Sequence, residues 1–157
     1  MRFIVHDDPV LRADSNYIAQ IALAPFGFDD EVEQVWLHRT ADGSATLCCI
    51  PFRAYGVALG DSVRISDDSI VTEVLARSGR RVLRALVVDE PDPTRAVTEL
   101  QQRITDTGLR SEWSGDRHVA IDVPPGLEPS ALLDHLDVGE ADGTLHWEWA
   151  DVAPFAV

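Results

Sequence analysis

Two adjacent cysteines, Cys48 and Cys49, carry the most readily named chemistry in this chain, because a thiolate is a nucleophile wherever a base or a positive environment lowers its pKa. His38, on the neighbouring predicted strand, is the nearest base in sequence, and Asp42 could orient it. The competing reading is a pair of buried structural thiols, since cysteine is among the most buried residue types. A second cluster is the basic run Arg77-Ser78-Gly79-Arg80-Arg81. Backbone amides at a glycine turn, with guanidinium groups beside them, suit a phosphate or carboxylate. Arg77, Ser78, Arg80 and Arg81, together with Arg53, Tyr55 and Asp61, therefore form a candidate ligand or anion-binding set. The alternative is a solvated turn whose arginines pair with nearby carboxylates. His118, Asp122, His146 and Glu148 could hold a divalent ion if their strands adjoin, or could simply line the polar face of a sheet. Trp36, Phe52 and Tyr55 could line a mouth at one end of a barrel.

Named signatures are missing from the rest of the sequence. No Gly-x-x-x-x-Gly-Lys-Ser/Thr run is present, no Gly-x-Ser-x-Gly elbow surrounds Ser78, and neither a second cysteine pair nor a histidine spacing suggests zinc. The sequence therefore assigns no catalytic residue, no metal and no cofactor.

The elements that must position these residues fall into three stretches. Residues 1–30 read as an N-terminal edge strand at 2–6 and an acidic, turn-rich connection. Residues 31–80 have the texture of a small antiparallel sheet or barrel, with short strands separated by Asp42-Gly43, Gly56, Gly60 and Ser78-Gly79. Residues 81–157 switch period. Asp92 caps and Pro93 opens a helix over 94–107, whose stripe is Val97, Leu100 and Ile104 and which Gly108 ends. Strands at 109–113 and 117–123 follow, then a short helix near Pro129 and a strand at 144–151. The order strand, helix, strand, strand, helix, strand predicts a ferredoxin-like half, so the expected class is α+β: a small antiparallel sheet or barrel, then a βαββαβ unit.

The charge narrows the partners. With 27 acidic against 13 basic residues the net charge is −14 over 157 residues. A field of that sign repels phosphate backbones and anionic lipid and speeds encounter with a cationic protein. Nucleic acid and membrane are thus expected not to be partners, and a basic protein is. The acidic turns Asp29-Asp30-Glu31 and Asp67-Asp68 are the candidate patch. The opening residues lack a long apolar run and the two cysteines cannot readily bridge each other, which predicts a cytoplasmic protein with reduced thiols.

Glu33-Gln34-Val35-Trp36, Cys49-Ile50-Pro51-Phe52, the run from Gly56 to Val63, and Ser78-Gly79 together resemble the bacterial family known as domain of unknown function 4265. The likeness spans roughly residue 31 to the end. Family members tend to carry Asn before the Ile-Pro-Phe run, where this chain has Cys49, so no role for a side-chain amide carries over. The resemblance implies a small bacterial cytoplasmic protein and transfers no catalytic residue. The functional expectation is a non-enzymatic acidic module that binds and occludes a basic protein, in the manner of an immunity protein or inhibitor. Its rival is a small enzyme or small-molecule-binding domain with a pocket between the barrel and the ferredoxin-like half.

Overall fold

The computed structural model describes residues 1–89 and 91–151. Ten strands and two helices run in the order β1 (Arg2–Ile4), β2 (Tyr17–Ala22), β3 (Glu31–Arg39), β4 (Ser44–Leu47), β5 (Ser62–Ile65), β6 (Val71–Ala76), β7 (Arg81–Val87), α1 (Thr94–Thr107), β8 (Ser111–Ser114), β9 (His118–Val123), α2 (Ser130–Ala141) and β10 (Leu145–Trp149). They form two sheets, of six and four strands, and the fold is mixed α+β.

The long strand β3 organises the first sheet. Along one side it pairs antiparallel with β2, from Tyr17↔Leu37 to Ala22↔Val32. Along the other its first residues pair parallel with β1 and its last pair antiparallel with β4. The hairpin turn that joins β3 to β4 is the Asp42-Gly43 turn, with Gly43 at φ 85°. β4, β5 and β6 continue antiparallel, and a bridge between Gln20 and Ile70 then brings β6 back against β2. The sheet thus curls on itself around Ala19, Ile21, Val35, Leu37, Leu47 and Val63, all fully buried. β2 lies inside the stretch read from sequence as a connection. Its alternation buries only two apolar side chains, Ala19 and Ile21, too few to announce a strand among acidic turns.

The second sheet is antiparallel throughout, in the order β10-β7-β9-β8. α1 matches the expected 94–107, with the Asp92 carboxylate accepting the Thr94 N–H at 2.9 Å and Gly108 in the left-handed conformation at φ 69°. Both helices cover one face, where Leu83, Val87, Leu100, Ile104, Val119, Ile121, Leu132 and Leu136 pack into one core cluster. Strand alternation turns Val82, Arg84, Glu112, His118, Ala120 and Asp122 to the other face. That face is docked on the barrel: Val82, Ala120 and Ala150 belong to the barrel's core cluster. Among the described residues no helix is long and apolar enough to cross a membrane.

Candidate functional site in the cleft between the sheets

Between β4 and β5 the chain runs through residues 48–61 without regular structure, and all of it except Arg53, Tyr55 and Gly60 is buried. The strand that follows the Asp42-Gly43 turn stops at Leu47. Buried backbone N–H and C=O groups must find partners, and here no ladder supplies them. Side chains supply many of them, beside main-chain bonds such as those from the Cys48 N–H to the Trp36 carbonyl and from the Gly56 N–H to that of Ala150. The Glu33 carboxylate accepts the N–H groups of Phe52, Arg53 and Ala54 at 2.5, 3.0 and 2.9 Å. Glu112, reaching over from β8, accepts those of Ile50 at 2.9 Å and Val10 at 3.1 Å. Asp61 accepts those of Ala58 at 2.9 Å and Ser78 at 2.7 Å. On the acceptor side, Arg84 donates to the carbonyls of Pro51 and Ala54, Arg77 to that of Gly56, and the Ser78 hydroxyl to that of Leu59.

Two of these carboxylates flank one imidazole. His6 is buried, with Nε2 at 3.0 Å from Glu33 and Nδ1 on Glu112, and its ring stacks on Phe52 at 4.2 Å between centroids. Burial works against an imidazolium there, but the neighbouring Cys49, Glu112 and Glu33 outweigh it and hold the His6 pKa well above the ordinary 6.5. Burial likewise opposes the Glu33 carboxylate, yet the hydrogen bond and charge of His6, with help from Arg84 and the Phe52 N–H, keep its pKa at about 2. His6 is therefore a cation bridging two anions.

The outer side of this segment forms one wall of a cavity of about 540 Å³. Phe28, Phe52, Arg53 and Tyr55 face it from the barrel half; Arg84, Leu86, His118 and Glu148 face it from the open face of the second sheet. The Tyr55 hydroxyl donates to Glu148 at 2.8 Å, and Arg84 lies over the Tyr55 ring at 4.9 Å and 3.4 Å from Glu148. Arg53 donates to Glu31 at 2.6 Å and lies over Phe28 at 5.0 Å. His118 packs against Phe52, with centroids 6.0 Å apart, and its ring nitrogens make no hydrogen bond among the described residues. Burial, with the charges of Arg84 and Arg53 adding to it against a weaker pull from Glu33, lowers its pKa to about 4, so the imidazole is neutral at pH 7.

The expected site residues divide between two places. Arg53 and Tyr55 line the cavity, and so do Phe52, His118, His146 and Glu148; Trp36 instead packs against the barrel core beneath Arg12. Asp61, Arg77, Ser78, Arg80 and Arg81 are not among the lining residues. They form a hydrogen-bonded corner in which Arg80 makes a bidentate pair with Asp122 at 2.7 and 2.5 Å, and Arg81 meets Asp151 at 2.9 Å over the Trp149 ring. His118, Asp122, His146 and Glu148 do share the open face, but Asp122 is committed to Arg80, and among the described residues no group of three or more His, Cys, Asp or Glu converges as metal ligands. Cys48 and Cys49 are both buried, and burial pushes both thiols above their ordinary pKa. His38, the base expected from sequence, is exposed with Nδ1 on the Asp14 carbonyl at 2.8 Å, and the imidazole beside Cys49 is instead His6, already engaged by Glu33 and Glu112. Sequence reasoning missed His6, Glu33, Arg84 and Glu112. For Glu33 and Arg84 the signal was a charged residue among the apolar residues of a strand, as in Val82-Leu83-Arg84-Ala85-Leu86, whereas His6, beyond β1, and Glu112, in the polar Ser111–Ser114, carried no such signal.

The profile of the family described as Domain of unknown function (DUF4265) matches residues 33–147. The chain belongs to this family. Within those bounds fall Glu33, the irregular 48–61 segment, Arg84, Glu112 and His118, whereas His6 precedes them. A solved structure described as a hypothetical protein from Neisseria gonorrhoeae is similar over 88% of this chain and 96% of its own, with a TM-score of 0.69 at 20% identity, a likeness of fold. No curated protein matches the chain.

Replacing the buried carboxylate in this DUF4265 chain by its amide, Glu33→Gln, keeps the shape but leaves His6 without one of its anions and sets an amide NH₂ against backbone donors. The expected loss is about 3–5 kcal/mol, read as a lower urea midpoint with an unchanged slope. The two histidines also set a pH profile. Between 6.5 and its raised folded value, His6 keeps a proton that the unfolded chain has lost, so stability is full below 6.5 and falls as pH rises. Between 6.5 and about 4, His118 lacks a proton that the unfolded chain has gained, so stability falls as pH drops. Melting temperature followed from pH 4 to 9 should peak near 6.5, and His118→Gln should flatten the acid limb while sparing the alkaline one.

Proposed function

We propose that the protein is a binding domain for a small organic molecule held in the cleft between the barrel and the helix-covered sheet. The observation that carries this reading is the cavity itself: about 540 Å³, built by side chains from both halves. Its size falls in the roughly 300–1,000 Å³ range of ligand pockets, and its make-up is what such pockets use, an aromatic wall with a few convergent polar groups. Phe28, Phe52 and Tyr55 supply the wall. His118 supplies an imidazole whose nitrogens make no hydrogen bond among the described residues. We also propose the ferredoxin-like arrangement for the second half, supported by the strand order β10-β7-β9-β8 and by two helices on one face.

A blocked cavity tests the ligand reading. Leu86 lies on the cavity floor and is 44% exposed, so Leu86→Trp fills the space without entering the core. A small-molecule thermal-shift screen should yield compounds that raise the melting temperature of the native chain and not of the blocked variant. No such compound, or equal shifts in both proteins, would sink the reading.

A second reading, capture of a basic protein in the manner of an immunity protein or inhibitor, is supported by the net charge of −14 and by the exposure of Asp29, Asp30, Asp67 and Asp68. Glu31, the fifth residue of that patch, is half-buried between Arg2 and Arg53. Reversing the four exposed acids to lysine should abolish salt-sensitive retention of a basic protein and leave cavity ligands unaffected; retention unchanged by the reversal would exclude this patch.

A further inference from the structure

We infer that the cavity is an oxyanion site: it takes its ligand through a carboxylate, sulfonate or phosphate group seated between Arg53, Arg84 and His118. The inference rests on reading the cleft as a ligand site and names what that ligand must carry.

The distribution of charge is the first argument. The chain holds 27 acidic residues against 13 cations, all of them arginine, yet four arginines line this one cavity against two carboxylates, Asp116 and Glu148. Glu148 is already engaged by Tyr55 and Arg84. The lining thus carries more arginine than carboxylate, with Arg2 and Arg53 balanced by Glu31 and Arg117 by Asp89 outside it, so the cleft presents guanidinium N–H groups in a chain that is otherwise acidic.

Preorganisation is the second. Arg84 has a side chain only 4% exposed, pinned by the carbonyls of Pro51 and Ala54 and by Glu148. Those bonds use one N–H on each of its three nitrogens and leave one N–H on each terminal nitrogen for a ligand. Arg53, on the opposite wall, is held by Glu31 and the Phe28 ring. Cations fixed before the ligand arrives lose little side-chain freedom on binding it. Arg84 pairs across strands with Ala120, which stands two residues from His118, so the two side chains are diagonal neighbours on one face, with backbones about 7–8 Å apart.

His118 supplies the third. Arg53 and Arg84 face it and repel its proton; Glu33, from behind the Phe52 segment, attracts it. His146, Arg117 and Asp116 lie on the same lining. An anion set between the two arginines and the imidazole cancels the repulsion, so the bound state favours an imidazolium that the free state disfavours. Binding and proton uptake by His118 are then linked.

Benzenesulfonate, whose charge does not change above pH 3.5, is the probe, and methyl phenyl sulfone is its neutral counterpart. Ring resonances of the histidines would be followed by NMR from pH 3.5 to 7.5, with His118→Gln assigning the signal. Benzenesulfonate at saturation should raise the His118 midpoint by at least one pH unit. It should bind at least tenfold tighter than the sulfone, and Arg53→Gln should remove most of that difference. If the sulfone binds as tightly, or the His118 midpoint stays put, the oxyanion site is wrong and the cleft remains a ligand pocket. If neither compound perturbs any cavity residue, both readings fall together.

Discussion

Fourteen consecutive residues, 48–61, pass through the interior as irregular backbone, and the fold depends on how their polar groups are satisfied. Each unpaired buried N–H or C=O costs free energy comparable to a lost hydrogen bond. A sheet or helix would meet that need locally. Here the partners come from far away in sequence: Glu33 on β3, Glu112 on β8, Arg84 on β7 and Asp61 at the segment's own end. One segment therefore ties together the barrel, the helix-covered sheet and, through Val10 and His6, the N-terminal stretch.

Burying three carboxylates creates a second requirement, since an isolated buried ion is far more costly than an unpaired amide. His6 and Arg84 meet it for Glu33 and Glu112, and Arg77, 4.0 Å from the Asp61 carboxylate, meets it there. The imidazolium sits between Glu33 and Glu112, while Arg84 offsets Glu33 from the other side and pairs with Glu148. Part of the acidity that makes the chain look like an electrostatic bait for basic proteins is thus internal and structural. Glu33, Asp61 and Glu112 accept backbone hydrogen bonds and present nothing to solvent.

The same side chains shape the cleft. Phe52 stacks on His6 with one face and lies near His118 on the cavity side, and Arg84 joins the loop carbonyls to the cavity floor. Positions that hold the two halves together are thus also the positions that aim aromatic and cationic groups at the cavity. A site of this construction is rigid, because its walls cannot move without exposing unpaired backbone.

Local physics was legible along the chain. The Asp42-Gly43 turn and the α1 helix from its Asp92 hydrogen bond to Gly108 follow from residues within a few positions of each other, as does the α+β class. Family membership was legible as well, because its motifs are turns and core residues close in sequence. Of the cleft, Arg53, Phe52 and Tyr55 stood out by type, while His6, Glu33, Arg84 and Glu112 did not. Composition and short-range pattern determine which segments become strands, helices and turns. What only the tertiary structure decides is which charges are buried and against what, because the partners of His6 lie 27 and 106 residues away, and no local rule places an imidazole between them.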